Sequence, residues 1–233
     1  MTLQEKINTF IEQNQDPAYQ IFTKKIVTSK YPMIGIRSPL LKAFAKELTK
    51  ENPKWYESYC PYKNFETVAL YAYSLGFLKC PFIELEQEIE KFLPLIDNWA
   101  INDYACANLK QFRKFQTEGF SFILKCLEKK EPYTIRFGLV LLLDYYVNDS
   151  YIDQVLQLCQ HNYIDHYYVS MAHSWLISIC YIKYPEKTKN FLKQAKIRPW
   201  VYRKAISKIC DSKRVSKEEK DKLKQMKKSF SSN

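Results

Sequence analysis

Glycine is scarce in this chain, because 233 residues contain four, at positions 35, 76, 119 and 138. Dinucleotide-binding βαβ units and phosphate-binding loops need clustered glycines to bring backbone amides against phosphate. Neither can be built from this sequence. All-β folds also need frequent turn glycines. The scarcity therefore favours a helical protein.

Apolar residues recur at helical spacing in five segments, and no segment shows sustained strict alternation. Prolines and Asp, Asn or Ser clusters separate the segments at intervals typical of short helices. The pattern predicts about a dozen short helices, arranged either as stacked helical pairs or as a globular bundle. The five segments are Phe65–Gly76, Leu85–Ile96, Ile135–Tyr146, Ile152–Cys159 and Val169–Ile179.

Nothing in the sequence indicates a membrane or an oxidising compartment. The longest apolar run, Phe137–Leu143, is far shorter than the roughly 20 residues that span a bilayer. The start at Met1 has no basic-then-apolar signal pattern. Seven cysteines are scattered without a C-x-x-C pair, which predicts reduced thiols instead of a disulfide frame or a zinc ribbon. We expect a soluble cytoplasmic protein.

Positive charge is concentrated near the C-terminus. The chain carries a formal charge of +11, and the segment Lys183–Lys228 holds 17 Lys and Arg against 5 Asp and Glu. Lys196–Lys204 interleaves cations with aromatic residues, which suits a nucleic-acid backbone beside stackable surface, although an acidic membrane surface would also fit. Within it Lys196, Arg198, Arg203 and Lys204 are candidate DNA-binding residues. From Ser216 onward we expect either a basic helix or a solvated tail.

Trp99 and Asp103 are candidates for chemistry. They lie four residues apart on the helix predicted after Asp97-Asn98, so both project from one face. That face is offset from the apolar line that contains Ile101. An aromatic ring beside a carboxylate can hold a cationic ligand, or the tryptophan can simply pack at the rim of the core while the aspartate is solvated.

Arg136 and Trp175 are weaker candidates. Arg136 lies in the most apolar predicted helix and needs a partner, either a carboxylate or a phosphate. Trp175 lies on a face beside an apolar stripe, where it either extends the core or meets a ligand. His161, His166 and His173 have no companion residues at a recognised metal-ligand spacing, so we expect no metal site.

Four stretches resemble, in order, the DNA alkylation repair family of HEAT-like-repeat proteins. They cover roughly residues 15 to 210. Each motif is weak by itself, and their order and spacing make the resemblance fairly specific. The matching stretches are Gly35-Ile36-Arg37-Ser38-Pro39, Asp97-Asn98-Trp99-Ala100 with Asp103, Tyr133–Gly138, and Tyr167–Ala172 leading to Trp175.

The resemblance implies an all-α fold. In it, degenerate HEAT-like antiparallel helix pairs stack into a superhelix of right-handed type with a concave basic face. One domain would cover residues 1–215, followed by a basic C-terminal helix or tail over residues 216–233. The partner would be duplex DNA with alkylated bases, without a cofactor, metal or membrane, and the protein would be a monomer of the bacterial cytoplasm that associates with the nucleoid when bound to DNA.

The resemblance also implies an activity. The family's glycosylases excise cationic purines alkylated at N3 or N7, with an aspartate and flanking tryptophans. By this match Asp103, Trp99 and Trp175 would be catalytic and would lie with Arg136, a phosphate ligand, on one exposed concave surface. Two other functions stay open: a DNA- or RNA-binding module without catalysis, and a helical scaffold for protein interactions.

Overall fold

The computed structural model describes residues 1–59 and 62–230, and within these ranges the chain is helical without strands. The all-α prediction is confirmed, and thirteen α-helices among the described residues match the predicted dozen. The chain divides into two compact units, Met1–Gly119 and Phe120–Asn233, with the boundary inside the helix Gln116–Leu127. The single domain over residues 1–215 stays a prediction.

The described residues of the first unit form six complete helices and three short 3₁₀ turns. The 3₁₀ turns cover Trp55–Glu57, Leu93–Leu95 and Lys110–Arg113. The helices are α1 (Leu3–Gln13), α2 (Pro17–Ile26), α3 (Ser38–Glu51), α4 (Phe65–Leu75), α5 (Phe82–Phe92) and α6 (Trp99–Asn108).

Helix α4 is the core of the first unit. It packs against α3, α5 and α6, and all of its residues are buried. The apolar stripe predicted on Phe65–Gly76 therefore covers only part of the buried surface of this helix, because the opposite face is buried as well. There Tyr71 stacks on Tyr56 and Tyr73 stacks on Tyr104. Gly76 ends the helix where an added Cβ would come within 2.3 Å of the Asn108 carbonyl oxygen.

The loop between α2 and α3 is fastened to α4 by a buried carboxylate. Glu66 is 2% exposed and accepts hydrogen bonds from the backbone N–H groups of Ile34, Gly35 and Ile36. Gly35 has φ +99°, and a Cβ there would lie 2.6 Å from the Asp16 carbonyl oxygen. The loop can follow this path because glycine alone tolerates both conditions.

The second unit is built around α10, which packs against α8, α11 and α12. A π-helical segment, Leu142–Tyr146, continues directly from α8. Within the described residues, no helix is long and apolar enough to cross a membrane. The helices of this unit are α7 (Gln116–Leu127), α8 (Pro132–Leu141), α9 (Ile152–Leu158), α10 (Tyr167–Lys183), α11 (Pro185–Gln194), α12 (Pro199–Asp211) and α13 (Lys217–Ser229).

The basic C-terminal segment is a helix through residue 229. Ser216 caps α13 by accepting from the Glu219 N–H, and Leu223 is buried. Phe230 stacks on Tyr202 of α12 with 3.7 Å between ring centroids. These contacts hold a strongly charged helix whose own apolar content is low.

Candidate functional site

Three consecutive residues position the start of α6. Asp97 accepts hydrogen bonds from the Ser29 hydroxyl, at 2.8 and 3.1 Å, and from the Lys30 N–H. Asn98 caps the helix by accepting from the N–H groups two and three residues on. The Trp99 indole N–H donates to the carbonyl oxygen of Ile26 at 3.0 Å. The loop after α2 and the end of α2 thus fix the direction in which α6 begins.

Trp99 and Asp103 lie one turn apart on this fixed helix, and both are partly exposed. The predicted apolar line beside them is buried, as its offset from their face requires. Asn102 is buried and donates from Nδ2 to Asp103 Oδ1 at 3.0 Å. This bond restricts the rotation of the carboxylate. Sequence analysis missed Asn102, and its only signal was a polar residue on the buried side of α6.

Helix α2 presents an apolar surface near Trp99. Phe22 and Ile26 lie four residues apart, on one face, and are 56% and 49% exposed. Ile26 is also the residue whose carbonyl binds the Trp99 indole. Large exposed apolar side chains grouped in this way are typical of a binding surface. The sequence indicated Phe22 only through the excess of apolar residues in α2, which is ten residues long.

In the second unit, Arg136 is 4% exposed and donates from Nη1 to the carbonyl oxygen of Tyr168 at 2.9 Å. It therefore connects α8 to the first turn of α10. Lys208 lies within electrostatic reach of Arg136 and of Lys204. The pKa of Lys208 is lowered by burial first, then by the charges of Lys204 and Arg136. Sequence analysis did not single out Lys208.

Trp175 lies on the partly exposed side of α10, while most of that helix is buried. Tyr168, Met171 and Ile179 are partly exposed on the same side, at spacings of three and four residues. The face beside the predicted stripe is therefore accessible within the second unit. Because Trp99 and Asp103 belong to the first unit, the predicted common surface of all four residues stays a prediction.

The basic segment divides into structural and exposed residues. Arg198 bonds Asp165, the Ser170 hydroxyl at 2.8 Å and the Ile164 carbonyl at 3.1 Å, so it braces the loop before α10. Lys196 is exposed, and Arg203 and Lys204 are partly exposed.

Two exposed aromatic side chains accompany these cations. Trp200 lies edge-on to Tyr167, with ring centroids 6.0 Å apart. Cations beside exposed rings are typical of surfaces that bind nucleic-acid strands.

Two of the three histidines, His166 and His173, take structural positions. His173 is buried, and its Nε2 lies 2.9 Å from the Cys159 carbonyl oxygen. Burial lowers the pKa of His173 to about 4, so the ring is neutral at pH 7. His166 is the N-cap of α10 and not part of the helix, so it does not share a helical face with His173. In the described part of the chain, no three His, Cys, Asp or Glu side chains are grouped as metal ligands would be.

These observations define a class of protein. It is a helical protein with a basic C-terminal region and with a tryptophan and an aspartate paired on one helix. A family model described as DNA alkylation repair enzyme matches residues 4–209, and the chain belongs to this family. DNA is therefore its partner, and DNA repair its role. No curated protein and no solved structure matches the chain.

Proposed function

We propose that the protein is a monofunctional DNA glycosylase that releases cationic purines alkylated at N3 or N7 from duplex DNA. The observation that carries this proposal is the arrangement of Trp99 and Asp103. Both are partly exposed, they lie one turn apart, and hydrogen bonds to Ile26 and Asn102 restrain them. Such restraint is what a group needs to stabilise a charge that develops during a reaction.

The electrostatics of this pair suit the cleavage of an N-glycosidic bond. As that bond breaks, positive charge develops on the sugar. A carboxylate about 4 Å away, at an effective dielectric constant near 20, supplies roughly 4 kcal/mol of attraction, which is about three decades in rate. A tryptophan ring facing the cation adds about 0.5–2 kcal/mol. Asp103 takes the first role in this proposal, and Trp99 takes the second.

No general acid is required for such a substrate. A purine with a fixed positive charge leaves as a neutral base, whereas an unmodified purine would first need a proton. We therefore expect selectivity to come from the leaving group, so that ordinary purines survive contact with the same carboxylate. This chemistry also does not need the base to be extruded into a closed pocket, unlike the usual base-excising enzymes.

We assign the second unit to DNA contact and lesion positioning. Trp175 takes the catalytic role that its resemblance to the family pattern implies. By the same resemblance Arg136 binds a backbone phosphate, and Lys204, which is partly exposed, binds another. Lys196 and Arg203 add sequence-independent attraction, while Arg198 holds the loop that precedes α10.

Single-turnover release of base from methylated duplex DNA tests the proposal. Asp103→Asn keeps the shape of the side chain and removes its charge, so we expect release to slow about a thousandfold. DNA affinity should stay within a few-fold. Glu90→Gln is the matched control, because it removes an exposed carboxylate that has no ion pair within the described residues of the first unit.

Two results would contradict the proposal in different ways. Equal release by the wild type and Asp103→Asn would remove the assigned role of the carboxylate. No release by either protein, with salt-sensitive DNA binding retained, would place the chain among DNA-binding modules without catalysis. The exposed aromatic and basic residues around Trp200 would then be its main functional surface.

A further inference from the structure

A cavity of about 530 Å³ opens in the first unit, away from α6. Its size lies within the range of small-molecule sites. Its walls come from the second half of α3, the turn after α3, the connection between α4 and α5, and the first two turns of α5. The residues that line it are Lys46, Thr49, Lys50, Pro53, Lys54, Phe77, Leu78, Lys79, Cys80, Glu84 and Glu88.

The cavity has an excess of positive charge, because its lining has four lysines against two glutamates. Lys54 is already paired, since its Nζ lies 2.9 Å from Glu88 Oε1, which also binds Lys91. Within residues 1–59 and 62–230, no ion pair engages Lys46, Lys50 or Lys79. Glu84 is the other carboxylate of the lining, and these three lysines outnumber it, so the lining keeps a net positive charge that attracts an anion.

Helix α5 adds to this positive field. It is eleven residues long, and its N-cap, Pro81, makes no side-chain hydrogen bond to the first turn. Cys80 precedes that turn and Glu84 lies within it, both line the cavity, and the Glu84 carboxylate offsets part of the positive charge there. An uncapped helix N-terminus carries unsatisfied N–H groups and about half a positive charge, which favour a phosphate.

The rest of the lining is apolar. Phe77 is partly exposed and Leu78 is buried, and Pro53 contributes from the facing turn. An inorganic ion would leave these apolar side chains exposed to water, whereas a ligand with a flat ring would cover them. The cavity therefore combines an anion-binding rim with a surface for an aromatic body.

We propose that this cavity binds a small organic phosphate, a monoester whose body is an aromatic ring. Lys46, Lys50 and Lys79 hold the phosphate, and Phe77 packs against the ring. This site is separate from Trp99 and Asp103, so the proposal does not rest on glycosylase activity. An expected dissociation constant of about 1 mM for a single-ring probe follows from the number of atoms it would bury.

Phenyl phosphate is the probe, and Cys80 is the reporter. The thiol of Cys80 is partly exposed in the cavity, and its pKa is raised by burial and then by Glu84. Iodoacetamide labelling at about pH 9 compensates for this shift, and peptide mass spectrometry reads each cysteine separately. Cys210 is the internal reference, because it is also partly exposed and burial also raises its pKa.

We expect phenyl phosphate to slow labelling of Cys80 and not of Cys210, and to do so at lower concentration than inorganic phosphate or phenol. The double variant Lys50→Gln with Lys79→Gln should weaken this protection about tenfold. Lys42→Gln with Lys63→Gln is the matched control. It removes the same charge from two exposed lysines of the first unit that do not line the cavity.

Several outcomes would overturn the proposal. One is the absence of protection at about 10 mM phenyl phosphate. Another is equal weakening by both double variants, which would indicate general attraction to a basic protein. Equal protection by phenol would show that the lysines play no part. The lysines of the double variant have no ion pairs among the described residues, so unfolding is not expected, and a thermal melt verifies this.

Discussion

Replacing Glu66 by glutamine tests how the loop between α2 and α3 is held. The Glu66 carboxylate is buried and accepts from the N–H groups of Ile34, Gly35 and Ile36, at distances of 2.7 to 3.4 Å. Glutamine keeps one acceptor oxygen but loses the charge. Its amide NH₂ group would face backbone donors that it cannot satisfy.

The magnitude follows from these contacts. A hydrogen bond to a charged group contributes about 1.5–3 kcal/mol, and a buried donor left without a partner costs about 1–3 kcal/mol. Losing the charge on an acceptor shared by three donors should therefore lower the free energy of unfolding by about 3–5 kcal/mol. Domains of ordinary stability have about 5–15 kcal/mol in total. For a chain of this length the melting temperature should fall by about 10 °C.

Urea unfolding and amide hydrogen exchange measure the effect. Exchange should accelerate most in residues 34–36, whose N–H groups lose their acceptor. Glu90→Gln is the control, because that carboxylate is exposed. A loss of stability below about 1 kcal/mol would refute the reasoning, since it would mean that solvent or a rearranged loop replaces the Glu66 contacts.

Three further predictions concern the two units. Trp99→Phe removes the indole donor to the Ile26 carbonyl, and base release should slow about tenfold, with stability reduced by about 1 kcal/mol. The pKa of His173 is lowered to about 4 in the folded protein. Its contribution to the free energy of unfolding is therefore complete above the unfolded pKa of 6.5. That contribution is lost as pH falls toward 4, by about 2 kcal/mol at pH 5 in urea unfolding. His173→Gln should abolish this pH-dependent loss of stability, and His161→Gln should not. Lys204→Gln should weaken DNA binding equally for all sequences and reduce the salt slope by about one.

Each of these has a clear contrary result. Unchanged base release by Trp99→Phe would show that the indole N–H does not position the ring. An equal pH slope in the two histidine variants would mean that other groups govern acid unfolding. A sequence-dependent loss of affinity in Lys204→Gln would indicate base contact instead of phosphate contact.

The helices were predictable because their signals are local. The spacing of apolar residues and the Asn98 cap signal lie within a few residues of α6, so the start of this helix at Trp99 followed from the sequence. The full burial of α4 did not. A periodic pattern indicates one apolar face, whereas the number of helices that pack around α4 depends on residues far along the chain.

The candidate site was predictable for the same reason and to the same extent. Trp99 and Asp103 are four residues apart, and a helix places them together. The residues that hold functional side chains in place lie far away in the sequence. Ile26 lies 73 positions before Trp99, and the residues that bond the Arg198 side chain are 28 to 34 positions away from it. The basic segment marked Arg198 as a candidate DNA ligand, which stays a prediction, whereas its bonds to the loop before α10 could not be read from the sequence.

The bond between Trp99 and α2 ends on a backbone atom, and this determines which genetic changes can disturb it. Substitutions at position 26 leave the carbonyl in place, so the bond to the indole survives even when the apolar Ile26 side chain is exchanged. Insertion of one residue within α2 would instead rotate the end of the helix by about 100° and carry the carbonyl away from the indole. In a library of variants of this protein, insertions and deletions in α2 should therefore abolish activity more often than point mutations in α2.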